Sequence, residues 1–226
     1  YEIPLLSGKD SMYIDGHIPG KYNETHKVSG LETLQFSTTG VIENAEECVT
    51  MDLKVPGDLI YILGITRNEL GASEYYEHFG YVGLNLPQVR IRETLPLYRA
   101  LEQAVKEGLA ASVHGVYRGG LGVHLAFVGM AGRLGMEIEL RKIATDESLR
   151  ADTLLFSESP GRFIAAIDPK NQKQFERLFK DLPYACIGKV TADGRFHIKG
   201  PDDRTLILTD VAGLKKAWKT PFGDLI

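Results

Sequence analysis

Between residues 7 and 11 the chain sets a hydroxyl, a glycine, an ammonium, a carboxylate and a second hydroxyl in succession: Ser7-Gly8-Lys9-Asp10-Ser11, directly after the apolar run Ile3-Pro4-Leu5-Leu6. A glycine after a strand lets backbone N–H groups approach an anion closely. Beside it, Lys9 can neutralise a phosphate and Asp10 can hold magnesium through oxygen. The segment is not a P-loop. That motif needs a glycine where Ile3 stands and Ser or Thr where Asp10 stands. The competing reading is a polar turn closed by the Ser7 and Asp10 side chains.

Two later segments offer comparable chemistry. In His114-Gly115-Val116-Tyr117-Arg118-Gly119-Gly120-Leu121-Gly122, a glycine pair sits between a strand-like and a helix-like stretch. Helix N-termini favour anions, so Gly119 and Gly120 are candidate phosphate contacts. The spacing is not that of a dinucleotide fingerprint, because Leu125 stands where the last glycine belongs. Close helix-to-sheet packing is the alternative. In Ser157-Glu158-Ser159-Pro160-Gly161-Arg162 a carboxylate, hydroxyls and a guanidinium share one turn; the alternative is a solvated turn with Arg162 paired to Glu158. Gly71-Ala72-Ser73-Glu74-Tyr75-Tyr76 reads as a helix start whose aromatics bury.

Bulk properties narrow the class. A net charge of -4 opposes non-specific nucleic-acid binding, which depends on a positive field. Apolar runs are too short to span a bilayer as helices, and the start shows no secretory signal pattern. The two cysteines, Cys48 and Cys186, have no C-x-x-C partner and read as small buried hydrophobes of a reducing compartment. The histidines lack the helical spacing of a zinc site.

The elements that must position these residues follow from periodicity. Residues 3–6, 33–42, 48–54 and 58–63 read as strands, and Asp15 to Lys27 as a polar loop. Beyond Pro87 the pattern becomes α-β-α-β-α-β-β-β-α. Helices are expected over 97–109, 121–133 and 170–180, with a last one capped by Asp210. Strands are expected over 112–117, 163–167, 185–190, 195–198 and 205–208, several joined by tight turns at Asp193-Gly194 and Pro201-Asp202. This mixture predicts an α+β fold with helices on one face of the sheet and a domain boundary near residues 85–92.

Taken together and in this order, the segments "PLLSGKDSM", "VTMDLKVPGDLIYILG", "ELGASEYY", "GGLGVHLA" and "SESPGRF" resemble the synthetase subunit family of phosphoribosylformylglycinamidine synthase. The resemblance covers nearly the whole chain. It implies the aminoimidazole ribonucleotide synthetase-like fold: residues 1–90 as the end of a strand-rich A-type domain and 91–226 as an α+β B-type domain. It further implies a C-terminal piece of an ATP-dependent ligase of the cytoplasm, with ATP and Mg2+ as cofactors. The implied partners are the first half of the same polypeptide and a glutaminase supplying ammonia, with neither nucleic acid nor membrane. An incomplete A-type segment would also expose an edge, so self-association of the piece is expected.

Carried over residue by residue, the resemblance implies nucleotide or phosphate contacts at Gly8, Lys9, Ser11, His114, Gly119 and Gly120, a metal ligand at Asp10, and a substrate-side turn at Glu158 and Ser159. No catalytic residue falls in this chain. Where the family usually reads His-Asp-x-Ser-Asp-Gly-Gly, Gly115, Tyr117 and Arg118 replace Asp, Ser and Asp. The expectation is a half-site that no longer binds magnesium-nucleotide in the usual way, with Arg118 contacting a phosphate or making a salt bridge. The alternatives are a degenerate structural half, or another ATP-using member of the superfamily such as thiamine monophosphate kinase or selenophosphate synthetase.

Overall fold

The computed structural model describes residues 3–4, 7–8, 15–30, 35–42 and 44–225. By its contacts the chain divides into two units, Tyr1–Ala45 and Glu46–Ile226.

In the first unit, strands β1 (Asp15–Pro19) and β2 (Thr25–Ser29) form an antiparallel hairpin in which Asp15 pairs with Ser29 and Pro19 with Thr25. This corrects the expected polar loop. The sequence carries no apolar face here. The register is instead fastened by Asp15, which accepts from Ser29 Oγ at 2.8 Å and pairs with Lys27 at 2.6 Å. Residues 35–42, expected as a strand, form none.

The second unit is built on a seven-stranded sheet of order β4-β6-β3-β7-β5-β8-β9. Its strands are β3 (Leu59–Leu63), β4 (Ala110–Val116), β5 (Gly135–Glu139), β6 (Arg162–Ile167), β7 (Tyr184–Thr191), β8 (Arg195–Lys199) and β9 (Thr205–Asp210). Every pairing is antiparallel except β5 with β8. The composition change near residues 85–92 lies inside this unit. The physical reason is β3, which is hydrogen-bonded on both sides, to β6 and to β7, and so ties residues 46–90 to the later sheet.

Helices cover both faces of the sheet, not one. Residues 60 to 63 of β3 are all fully buried. A strand buried on both faces reads as a continuous apolar run, as "LIYIL" does. Ile60 and Ile62 pack with Leu121, Leu125 and Val128 of α3 (Gly120–Gly132) and with Leu154 and Leu155 of α4 (Ala151–Phe156). Tyr61 and Leu63 pack on the other side with Leu97, Leu101 and Ala104 of α2 (Ile91–Lys106), and with Phe175 of α5 (Gln172–Leu178) and Phe179. α2 shows the 3.6-residue spacing of one buried stripe. The last helix, α6 (Val211–Lys219), starts where expected: Asp210 Oδ1 accepts the Gly213 N–H at 2.8 Å.

Two elements carry no sequence expectation, β5 and α4, and both are short. The tight turn expected at Asp193-Gly194 is present between β7 and β8. The two strands are not neighbours, because β5 lies between them. Gly135 opens β5 beneath the connection, where a side chain would collide with the Arg195 carbonyl. Residues 48–54 form no regular strand, yet Leu53 is buried and its N–H reaches the Val128 carbonyl at 3.3 Å. Cys48, expected inside, is exposed, and both cysteines are free thiols. Among the described residues no helix is long and apolar enough to cross a membrane.

Candidate functional site

Three of the chemistry-bearing segments converge on one carboxylate. Glu158 Oε1 accepts the Gly119 N–H at 2.8 Å and the Glu74 N–H at 3.0 Å. Gly119 is the N-cap of α3, and Glu74 is the first residue of α1 (Glu74–His78), capped by Ser73. Backbone N–H groups at helix starts lack intrahelical partners and carry partial positive charge. The carboxylate of Glu158 satisfies two of them at once. The position at the glycine pair that sequence reasoning reserves for an anion is filled by the chain itself.

The glycine pair is also forced by packing. Gly119 and Gly120 have φ of +89° and +71°, and a Cβ on Gly120 would lie 2.6 Å from the Phe156 carbonyl carbon. Close packing and an anion-receiving turn, the two alternatives for this segment, therefore coexist. Arg118 makes a salt bridge to Glu74, on the far side of the same junction.

The turn bearing Glu158 is held from beneath. Arg162 is only 1% exposed. Its Nε donates to the Ser159 carbonyl at 2.9 Å, Nη1 to Thr66 Oγ1 at 2.9 Å and Nη2 to the Ser157 carbonyl at 2.5 Å. This corrects the solvated-turn alternative, in which Arg162 paired with Glu158: the fork faces inward to backbone oxygens. Burial pushes the Arg162 pKa down to about 10, offset by the charges of Glu69 and Glu158, so the guanidinium stays protonated at neutral pH. The hydroxyls face the segment that follows β3. Ser159 Oγ accepts the Arg67 N–H at 3.0 Å, Ser157 Oγ donates to the Arg67 carbonyl at 2.7 Å, and the Glu158 N–H donates to the Glu69 carbonyl at 3.2 Å. Glu69 is itself buried, and its Oε1 accepts from Arg90 Nη1 at 2.7 Å.

His114 meets a partner that the sequence did not reveal. Its Nε2 lies 2.8 Å from His124 Nδ1, and His124 Nε2 accepts the Tyr117 N–H at 3.0 Å. The same Nε2 also lies 3.2 Å from the Arg118 carbonyl oxygen, so the ring is held by His114 on one side and by two backbone groups of the turn on the other. Burial and the neighbouring His114 push His124 down to about 4, and burial lowers His114 as well. The pair stands neutral and clamps the start of the Tyr117–Gly120 turn. The spacing of 114 and 124, one on a strand and one on the helix that folds back over it, gave no helical signature. Thr66, Arg67 and Glu69 were missed for the same reason: their roles depend on backbone contacts across the sheet.

Of the first motif, Gly8 is exposed, and Lys9, Asp10 and Ser11 lie outside the described residues. At the Gly119–Glu158 junction the residues present offer magnesium no free carboxylate. Gly115 and Arg118 carry no carboxylate, the Tyr117 hydroxyl packs against Gly115, Glu74 pairs with Arg118, and Glu158 accepts two backbone N–H groups. Among the described residues no three His, Cys, Asp or Glu side chains group to hold a metal ion.

Comparison with known proteins follows the same lines. The family described as AIR synthase related protein, C-terminal domain, matches residues 55–200. The phosphoribosylformylglycinamidine synthase subunit PurL of Methanocaldococcus jannaschii is 32% identical over 231 aligned residues, covering 100% of this chain and 30% of that protein. Among solved structures, Thermotoga maritima PurL complexed with FGAR superposes with a TM-score of 0.67 at 20% identity, over 75% of this chain and 30% of that one. The same T. maritima protein complexed with ATP gives 0.61 at 19%, over 74% and 27%. The chain thus spans about 25% to 30% of the length of the curated relatives it matches.

Proposed function

The chain belongs to the AIR synthase related protein family through that C-terminal domain, and we propose that it works as the C-terminal portion of an ATP-dependent synthetase that converts formylglycinamide ribonucleotide to its amidine in purine biosynthesis. In that reaction the amide oxygen accepts a phosphoryl group, ammonia adds to the activated carbon, and phosphate leaves. Phosphoryl transfer depends on positioning and charge neutralisation more than on a nucleophilic side chain. Glycine turns, hydroxyls and cations, the groups this sequence supplies, suit it.

The observation that carries the reading is the meeting at Glu158. The segments "ELGASEYY", "GGLGVHLA" and "SESPGRF", which together carry the resemblance, close on a single carboxylate. The same contact defines this unit's part in the work. With its anion position filled internally and its metal ligands replaced, the second unit supports a catalytic site and does not hold magnesium-nucleotide. Glu158 and Ser159 then brace the turn beside the substrate, and His114 braces the glycine pair.

The first unit is the proposed reactive contribution, as the end of an A-type domain; that assignment is retained only for residues before Glu46. There Gly8, Lys9 and Ser11 would contact phosphate and Asp10 would be the metal ligand. The proposed partners are the remainder of a longer polypeptide and a glutaminase that supplies ammonia, in the cytoplasm. Self-association through uncovered apolar surface is proposed for the isolated piece.

The test is formylglycinamide ribonucleotide- and ammonia-dependent ADP release by the polypeptide from the complete reading frame. Release that needs both substrates is expected; ADP release indifferent to either one overturns the reading. Replacing Lys9 and Ser11 with alanine in that polypeptide separates the two roles. A loss on the order of ten-thousandfold marks a site contributed here, and a change of less than about threefold marks a scaffold.

A further inference from the structure

Tyr75 and Tyr76, expected to bury, are half-buried, and just beyond them Phe79 is 56% and Tyr81 is 68% exposed. Together with Tyr75 and Tyr76 they wall an open cleft of about 410 Å³. That volume lies in the range of small-molecule sites. The rings are fixed in place. Tyr75 stacks on Phe156 with centroids 4.7 Å apart and planes 6° from parallel. Phe79 meets Tyr75 edge-on at 5.2 Å, and Tyr81 meets Tyr76 edge-on at 6.4 Å. Edge-on contacts leave ring faces open, and an open aromatic face stacks well on a planar ligand.

The polar lining is equally specific. Thr153 is 94% buried by its 6% exposure, and it lines the cleft. Its backbone N–H is satisfied by Asp152 Oδ1 at 2.9 Å, but its hydroxyl has no hydrogen-bond partner among the described residues. That hydroxyl is not sealed from solvent, so it is open to a ligand in the cleft. Arg150 donates Nε and Nη2 to the Asp152 carboxylate at 3.1 and 2.6 Å, and Tyr75 holds the same carboxylate at 3.3 Å. A guanidinium has five N–H groups, so three remain for an anion. Asn68, also on the lining and exposed, adds an amide that can both donate and accept.

We propose that this cleft binds a planar heteroaromatic ring bearing an anionic group, a ligand of the nucleoside monophosphate class. The ring lies against Phe79 and Tyr81. Thr153 Oγ and the Asn68 amide read its polar edge, and Arg150 takes the phosphate. The site is separate from the Gly119–Glu158 junction and does not rest on the ligase reading. It needs no metal.

The test is calorimetric titration of the chain with AMP, adenosine and ribose 5-phosphate, with EDTA in every arm so that any magnesium-dependent nucleotide site stays silent. Saturable submillimolar binding of AMP is expected, with adenosine weaker by ~tenfold and ribose 5-phosphate weaker still. Arg150→Ala, at a side chain 84% exposed, should weaken AMP ~tenfold while leaving adenosine unchanged. Thr153→Val, which keeps the volume and removes the hydroxyl, should weaken AMP and adenosine alike by ~fivefold. AMP that fails to saturate by about 10 mM, or AMP binding that neither variant changes, overturns the proposal.

Discussion

The Glu158 carboxylate lies 2.8 Å from the Gly119 N–H and satisfies the N-cap of one helix while reaching the first residue of another. One side chain therefore joins α1, α3 and the turn before β6. Removing it orphans two backbone N–H groups. Glu158→Ala should cost about 2 kcal/mol, whereas Glu158→Gln, which keeps an acceptor without the charge, should cost about 1 kcal/mol. Urea denaturation measures both. An alanine variant as stable as the parent would mean that water replaces the carboxylate freely.

Arg162 is the keystone of the turn beneath. Arg162→Met removes three donors, leaves the Ser157 and Ser159 carbonyls buried without partners, and should cost about 3 kcal/mol or more. Arg162→Lys should recover less than half of that, since one ammonium cannot span the planar fork. Chemical denaturation of the two variants ranks them; equal losses would place the effect in charge and not in geometry.

His124 makes stability depend on pH in a definite direction. Its folded-state pKa, about 4, lies below the ordinary histidine value near 6.5. Between those values the unfolded chain binds more protons than the folded one, so stability rises with pH. The contribution is fully present above about pH 6.5 and is lost as pH falls toward 4. Across that window it amounts to about 3 kcal/mol at most. Thermal melts at intervals from pH 7 to 4.5 should show a falling Tm, and His124→Gln should flatten the slope. A parent whose Tm is level over this range would contradict the buried neutral pair.

Gly120→Ala tests the packing of the glycine pair. A left-handed backbone alone costs an alanine about 1 kcal/mol. Here the new Cβ would also press on the Phe156 carbonyl carbon at 2.6 Å. A total of about 3 kcal/mol or more is expected, read from the denaturation midpoint. A loss of only about 1 kcal/mol would show that α4 yields without cost.

Long periodic stretches were legible in the sequence. The apolar spacing at Leu97, Leu101 and Ala104 marks α2, and Asp210 marks the start of α6, because local rules set both. The polar hairpin at Asp15–Ser29 was not legible, since side-chain bonds and not an apolar stripe hold it. Of the candidate site, residue type picked out Gly119 and Gly120 in one segment and Glu158 and Ser159 in another, and only the family resemblance joined them. What they do to one another was not legible. Whether Glu158 faces a ligand or a backbone N–H is decided by how α1, α3 and β6 approach in space, and no local pattern encodes that. His124 stayed hidden likewise, its partner being set by the crossing of α3 over β4.

The insertion of β5 between two strands that follow one another in sequence dictates an order of events. β7 and β8 cannot zip together from their connecting turn, because a strand from far upstream must occupy the gap between them. Assembly of this half of the sheet waits on a remote segment, so it proceeds on the slow timescale of non-local pairing, about milliseconds to seconds. Until β5, already synthesised, docks into the gap, β7 and β8 each present an unsatisfied edge that other chains can capture.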